Sequence, residues 1–72
     1  MSSLVLYTIY ERPSDYPEGF VVTMWIVGPD LLRPSAKGFA TDLEHARRLV
    51  PRGLYRMPRE PGDDPCIVEN WI

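Results

Sequence analysis

The chain reads as one small α+β domain spanning residues 1–72: a three-stranded, mainly antiparallel sheet, ββαβ in sequence order, with one helix on one face. Three observations predict this. Two runs rich in β-branched and aromatic residues come first, a capped amphipathic segment begins at Thr41, and a further β-rich run follows a dense cluster of turn residues near the C-terminus.

Leu4-Val5-Leu6-Tyr7-Thr8-Ile9-Tyr10 and Phe20-Val21-Val22-Thr23-Met24-Trp25-Ile26-Val27 are the first two expected strands. Between them, Arg12-Pro13 and Tyr16-Pro17 hold the chain extended or turned, so a long hairpin loop over residues 11–19 joins them. That loop gathers Glu11, Arg12, Asp15 and Tyr16 between prolines, which makes it either a recognition loop of low entropy cost or ordinary hairpin packing. Gly28-Pro29 ends the second strand. Pro34, Ser35 and Gly38 then suggest an irregular crossing, whose Leu31, Leu32 and Phe39 are expected to tuck under the domain.

Thr41-Asp42-Leu43-Glu44 has capping-box spacing, with Thr41 as the cap and Glu44 reaching back to it. Leu43, Ala46, Leu49 and Val50 supply an apolar stripe, and Pro51 stops the helix after about three turns. Leu54 to Met57 reads as a short edge strand. After Pro61-Gly62-Asp63-Asp64-Pro65 the segment Cys66 to Ile72 reads as the final strand. The spatial order is expected to be 2-1-3, with a 1-2-3 meander as the competing topology.

Composition narrows the function. A single cysteine, Cys66, forms no internal disulfide and no multi-thiolate metal site, so packing alone must hold the fold. The longest uncharged apolar stretches fall far below the roughly 20 residues that cross a bilayer as a helix. Met1 to Tyr10 lacks the basic start and cleavage site of a secretory signal, and with one unpaired thiol the expected compartment is the cytoplasm.

Both faces of the first two strands are mainly apolar, whereas a half-solvated sheet alternates apolar with polar. One helix covers one face. The other face is expected either to form a symmetric homodimer interface that includes Trp25 or Trp71, or to be closed by the 28–40 crossing folding back.

The formal net charge of −2 hides a two-sided distribution, because residues 45–59 carry five arginines and no acid. Arg47, Arg48, Arg52, Arg56 and Arg59 are the candidate anion-binding residues, able to clasp phosphates or carboxylates with planar forks of donors. Arg48, four residues after Glu44, also has a helical ion-pair partner, and no glycine-rich phosphate loop or nucleic-acid motif accompanies the arginines. His45 reads as a surface residue, Asp63 and Asp64 as a solvated turn, and Cys66 as small apolar packing. Glu69 is placed to meet an arginine across the sheet. No catalytic residue, cofactor or metal ligand set is expected.

Tyr7-Thr8-Ile9-Tyr10-Glu11-Arg12-Pro13-Ser14-Asp15-Tyr16-Pro17, followed by Pro61-Gly62-Asp63-Asp64-Pro65-Cys66-Ile67-Val68-Glu69-Asn70-Trp71-Ile72, resembles a group of short uncharacterised bacterial proteins. The resemblance implies a small stand-alone bacterial protein, and it brings no activity, cofactor or site with it. The functional expectation is therefore a non-enzymatic protein-interaction module, homodimeric or with another protein partner, the alternative being weak anion or nucleic-acid binding through Arg47 to Arg59.

Overall fold

The computed structural model describes residues 4–72, so the first three residues of the Met1–Tyr10 segment lie outside the described residues. The element order is β1 (Leu4–Glu11), β2 (Phe20–Gly28), β3 (Leu31–Ala40), α1 (Leu43–Arg48), β4 (Arg56–Pro58) and β5 (Ile67–Trp71). All five strands form one antiparallel sheet in the order β3-β2-β1-β5-β4, with β1 at its centre. This corrects the expected three-stranded ββαβ sheet: the protein is mostly β, with a short helix on one face. The three strands read from sequence adjoin as β2-β1-β5, flanked by β3 on one edge and β4 on the other.

The largest departure is β3. Residues 31–40 are not a crossing beneath the domain but the second arm of a hairpin, joined to β2 through a turn at Pro29 and Asp30. Proline suits the second position of such a turn because its ring presets the backbone angle. Pro34 and Ser35 fit because β3 lies on the sheet edge and its register shifts opposite Met24 and Trp25, a bulge where a missing N–H does no harm. Leu31, Leu32 and Phe39 therefore stay exposed, at 49, 64 and 54 %.

Helix α1 is also shorter than expected. Its cap is Asp42 and not Thr41: the Asp42 carboxylate accepts from the His45 backbone N–H at 2.8 Å. At the other end Leu49 and Val50 donate to the carbonyls three residues back, which tightens the last turn and ends the helix before Pro51. Strand β4 begins two residues and ends one residue later than the expected 54–57 stretch, and Tyr55 extends its pairing by exchanging both backbone bonds with Ile72.

The core lies between α1 and one sheet face. Ile9 and Ala46 are fully buried, with Val22, Ala40 and Val50 around them and Tyr7, Phe20, Leu43, Leu54, Val68 and Trp71 packed at the margin. Opposite residues on neighbouring strands share a face, so Ile9↔Val22, Tyr7↔Trp71 and Ile9↔Glu69 place these strand side chains toward the helix. Gly38 keeps this face open for the helix end: a Cβ there would approach Leu49 Cδ1 at 3.0 Å. Strand β1 pairs with β2 from Leu4 but with β5 only from Tyr7, so the Leu4 end of the sheet projects past β5.

Candidate functional site: the helix-free sheet face

The face turned away from α1 is built by the alternate residues. Leu6, Thr8 and Tyr10 come from β1, paired with Trp25, Thr23 and Val21 of β2. Pro34, Lys37 and Phe39 come from β3, opposite Trp25, Thr23 and Val21. On the other side of β1, Asn70 and Ile67 of β5 and Met57 of β4 belong to the same face, and Leu4, Val27 and Leu32 extend it at the Leu4 end. One row crosses every strand: Lys37, Thr23, Thr8, Asn70, Met57.

The centre of that row is polar and closed. Thr8 and Thr23 are 3 and 2 % exposed, and the Thr8 hydroxyl donates to Asn70 Oδ1 at 2.7 Å. Apolar cavities flank this seam. Beside β2 and β3, Tyr10, Pro13, Val21, Trp25 and Pro34 surround a cavity of about 240 Å³, with Asp15 and Lys37 at its rim. That volume falls just below the roughly 300–1,000 Å³ of a typical small-molecule site. Beside β4 and β5, Leu6, Met57, Ile67 and Ile72 line a wider hollow of about 380 Å³ rimmed by Glu60 and Asp63.

The 11–19 loop packs onto this face at the end away from Leu4. Arg12 N–H bonds the Gly19 carbonyl at 2.8 Å, with Arg12 in the left-handed region at φ 48°, and the Tyr16 ring sits 5.0 Å from Phe39 at a tilt of 58°. Asp15 reaches Lys37 at 3.7 Å, both side chains about half exposed. The loop thus covers Phe39 only in part and leaves Trp25 half-buried beside the closed row.

The two tryptophans singled out from the sequence lie on opposite faces. Trp25 belongs to the helix-free face, whereas Trp71 packs against the core and donates its indole N–H to Glu69 at 2.7 Å.

The basic segment divides. Arg47 makes a two-pronged bond to Glu69 and Arg48 a bond to Glu44 at 3.2 Å. Among the described residues Arg52, Arg56 and Arg59 form no salt bridge. Arg56 projects on the helix side opposite Trp71, and Arg52 borders a shallow hollow with Glu44, Arg47 and Arg48. Glu69, 3 % exposed, is the buried acid of the fold. Burial raises its carboxyl, but the bonds from Arg47 and Trp71 and the charges of Arg47 and Arg56 together outweigh it and hold the group below its ordinary value.

Of the remaining reactive residues, Asp63 and Asp64 serve the backbone. His45 is exposed on α1. Asp63 accepts from the Glu60 N–H at 3.0 Å and Asp64 from the Cys66 N–H at 2.8 Å. Desolvation, then the neighbouring Asp64 and Glu11, push the Cys66 thiol up, which disfavours the nucleophilic thiolate. Among the described residues no three His, Cys, Asp or Glu side chains group closely enough to hold a metal ion, and no helix is long and apolar enough to cross a membrane.

Sequence reasoning singled out Trp25 but missed Tyr10, Lys37, Met57 and Glu60, because only the five-strand topology brings them onto one surface. No protein-family model matches the chain, and no curated protein or solved structure matches it.

Proposed function

We propose that the protein is a non-enzymatic interaction module whose working surface is the helix-free sheet face, and that its partner there is a second copy of the same chain in the cytoplasm. The observation that carries the reading is the charge content of the face. Across the whole cross-strand set, Lys37 is the single Lys, Arg, Asp or Glu on the strands, and apolar residues flank the closed Thr8–Asn70 seam on both sides. Interface centres are depleted in charge and enriched in aromatic residues and methionine, as here with Trp25, Tyr10 and Met57. The molecule measures 38 × 26 × 21 Å, enough for a face supplying the roughly 800 Å² per partner of a standard interface.

The chain's one cysteine, Cys66, has no partner for an internal disulfide, which suits a reducing compartment. Sedimentation equilibrium from micromolar to millimolar concentration tests the reading: a monomer–dimer equilibrium that Trp25→Glu abolishes is expected, and a strict monomer over that range overturns it. A second reading, weak anion or nucleic-acid binding, draws on Arg52, Arg56 and Arg59, which have no salt-bridge partner among the described residues. Binding of mixed-sequence nucleic acid that falls steeply with salt supports that reading instead.

A further inference from the structure

Resting on the face-to-face reading above, we infer that the dimers join further, edge to edge, through residues Ala36–Ala40 of β3, antiparallel about a two-fold axis at Gly38. Strand β3 borders the sheet, and the direction of its backbone groups follows from two hydrogen bonds elsewhere. The Arg12 N–H donates to the Gly19 carbonyl at 2.8 Å and the Glu11 N–H to the Cys66 carbonyl at 2.7 Å. Backbone groups alternate sides along a strand, so β1 turns Tyr10 and Thr8 toward β2 and Glu11 and Ile9 toward β5. In β2, Val21 and Thr23 then face β1, while Phe20, Val22 and Met24 face β3, where Ala40, Gly38 and Ala36 answer them. The N–H and C=O groups of Lys37 and Phe39 are left pointing out of the sheet. Among the described residues no backbone bond from a loop or turn reaches them.

Such an edge is a template for another strand, and its pattern selects a second copy of itself. An axis at Gly38 sets Lys37 opposite the partner's Phe39, and the two pairs so formed exchange both bonds, four in all. The other registers fail. An axis at Lys37 puts like charges directly opposite each other, which destabilises a strand pair. An axis at Phe39 carries Lys37 against Thr41, past the strand end. An axis at Ala36 meets the bulge and Pro34, which has no N–H to donate.

Two exposed apolar side chains border the same stretch, one on each face. On the helix side Leu49, 40 % exposed, lies over Gly38, where a Cβ would approach its Cδ1 at 3.0 Å. The axis at Gly38 brings the two Leu49 side chains together. On the other face Phe39, 54 % exposed, gains the aliphatic stem of the partner's Lys37. Lys37 arrives already paired with Asp15 at 3.7 Å, so each copy brings one cation and one anion to the joint.

Proline separates the backbone contribution from that of the side chain. Lys37→Pro removes an outward N–H, which an edge strand tolerates, whereas Lys37→Ala removes the same charge and keeps the N–H. Circular dichroism checks that both variants fold. In sedimentation equilibrium the parent and Lys37→Ala are expected to pass beyond dimer toward millimolar concentration. Lys37→Pro, which loses two of the four bonds, is expected to take this second step at least about tenfold more weakly. Hydrogen exchange on the parent gives a reading that needs no variant: the Lys37 and Phe39 amides are expected to exchange more slowly as concentration rises. The amide of Leu32, beyond the bulge, is expected to stay unchanged.

A parent that stops at dimer, with exchange at Lys37 and Phe39 independent of concentration, overturns the edge contact and leaves the face reading standing. Proline and alanine variants that associate alike overturn it as well. A dimer lost in Lys37→Pro but kept in Trp25→Glu retains the edge contact and overturns the face. A parent that stays monomeric throughout overturns both.

Discussion

Arg47 and Glu69 meet fork to fork, Nε donating to Oε2 at 3.0 Å and Nη2 to Oε1 at 2.9 Å, and thereby fasten α1 to β5 across the core. The Glu69 side chain is 4 % exposed and that of Arg47 is 40 % exposed, so the acid depends on the arginine more than the reverse. Hydrogen bonds to charged groups are worth about 1.5–3 kcal/mol, and a buried carboxylate left without its partner loses that support. Arg47→Ala is expected to cost about 2 kcal/mol, which for a domain this small lowers the melting temperature by roughly 8–16 °C. Arg47→Lys keeps the charge but not the fork and should fall between parent and alanine variant in thermal unfolding.

The same site sets a pH dependence. The folded-state pKa of Glu69 lies below its unfolded value, so the unfolded chain binds the proton more readily and stability rises with pH through the window between the two. Its contribution is whole above the ordinary glutamate range near about pH 4.3 and is lost as pH falls through the folded value. Glu69→Gln should flatten this acid limb of the urea-unfolding midpoint measured between about pH 3 and 6. A variant whose limb is as steep as the parent's would show that other carboxylates carry it.

Parts of this architecture were legible in the chain and parts were not, for identifiable reasons. Strands β1, β2 and β5 announce themselves because central strands need β-branched and aromatic side chains on both sides, as Val21-Val22-Thr23 shows by being buried throughout. Strand β3 hides because an edge strand tolerates what a central one excludes: Pro34 donates no bond, Ser35 occupies a bulge, and Gly38 clears space for Leu49. Those three residues read locally as punctuation, and only pairing with β2 reveals them as a strand. Glu69 was seen to need an arginine, yet its partner comes from the helix and not from the neighbouring strand, a contact of tertiary origin. The candidate face suffered most, since Lys37 and Met57 occupy opposite sheet edges and share a row only through three intervening strands.

The helix cap separates a local ambiguity by experiment. Thr41 and Asp42 are both good cap residues, and the structure gives the role to Asp42 through its bond to the His45 N–H. Asp42→Ala should cost about 1 kcal/mol, while Thr41→Ala, whose exposed side chain does not cap α1, should stay within about 0.5 kcal/mol of the parent. Equal losses in guanidinium unfolding would instead give Thr41 a share of the cap.

The glycines test how firmly the 11–19 loop is seated against β3. Gly19 is buried, and a Cβ built there would lie 2.5 Å from the Ala40 carbonyl oxygen and 2.7 Å from Cε2 of Tyr16. The first of those neighbours is backbone in the β3 edge, and the second is a ring packed on Phe39, so neither yields cheaply. Gly19→Ala is therefore expected to destabilise by about 1–3 kcal/mol through overpacking. At Gly38 the obstruction is the flexible end of Leu49, a residue 40 % exposed that can swing outward, and at Gly62 nothing lies within 4 Å. Alanine at either of those positions should change stability by no more than about 0.5 kcal/mol. Thermal unfolding of the three variants side by side checks the ranking, and a Gly19→Ala protein as stable as the Gly62→Ala control would mean that Tyr16 and the loop do not rest on β3 in solution.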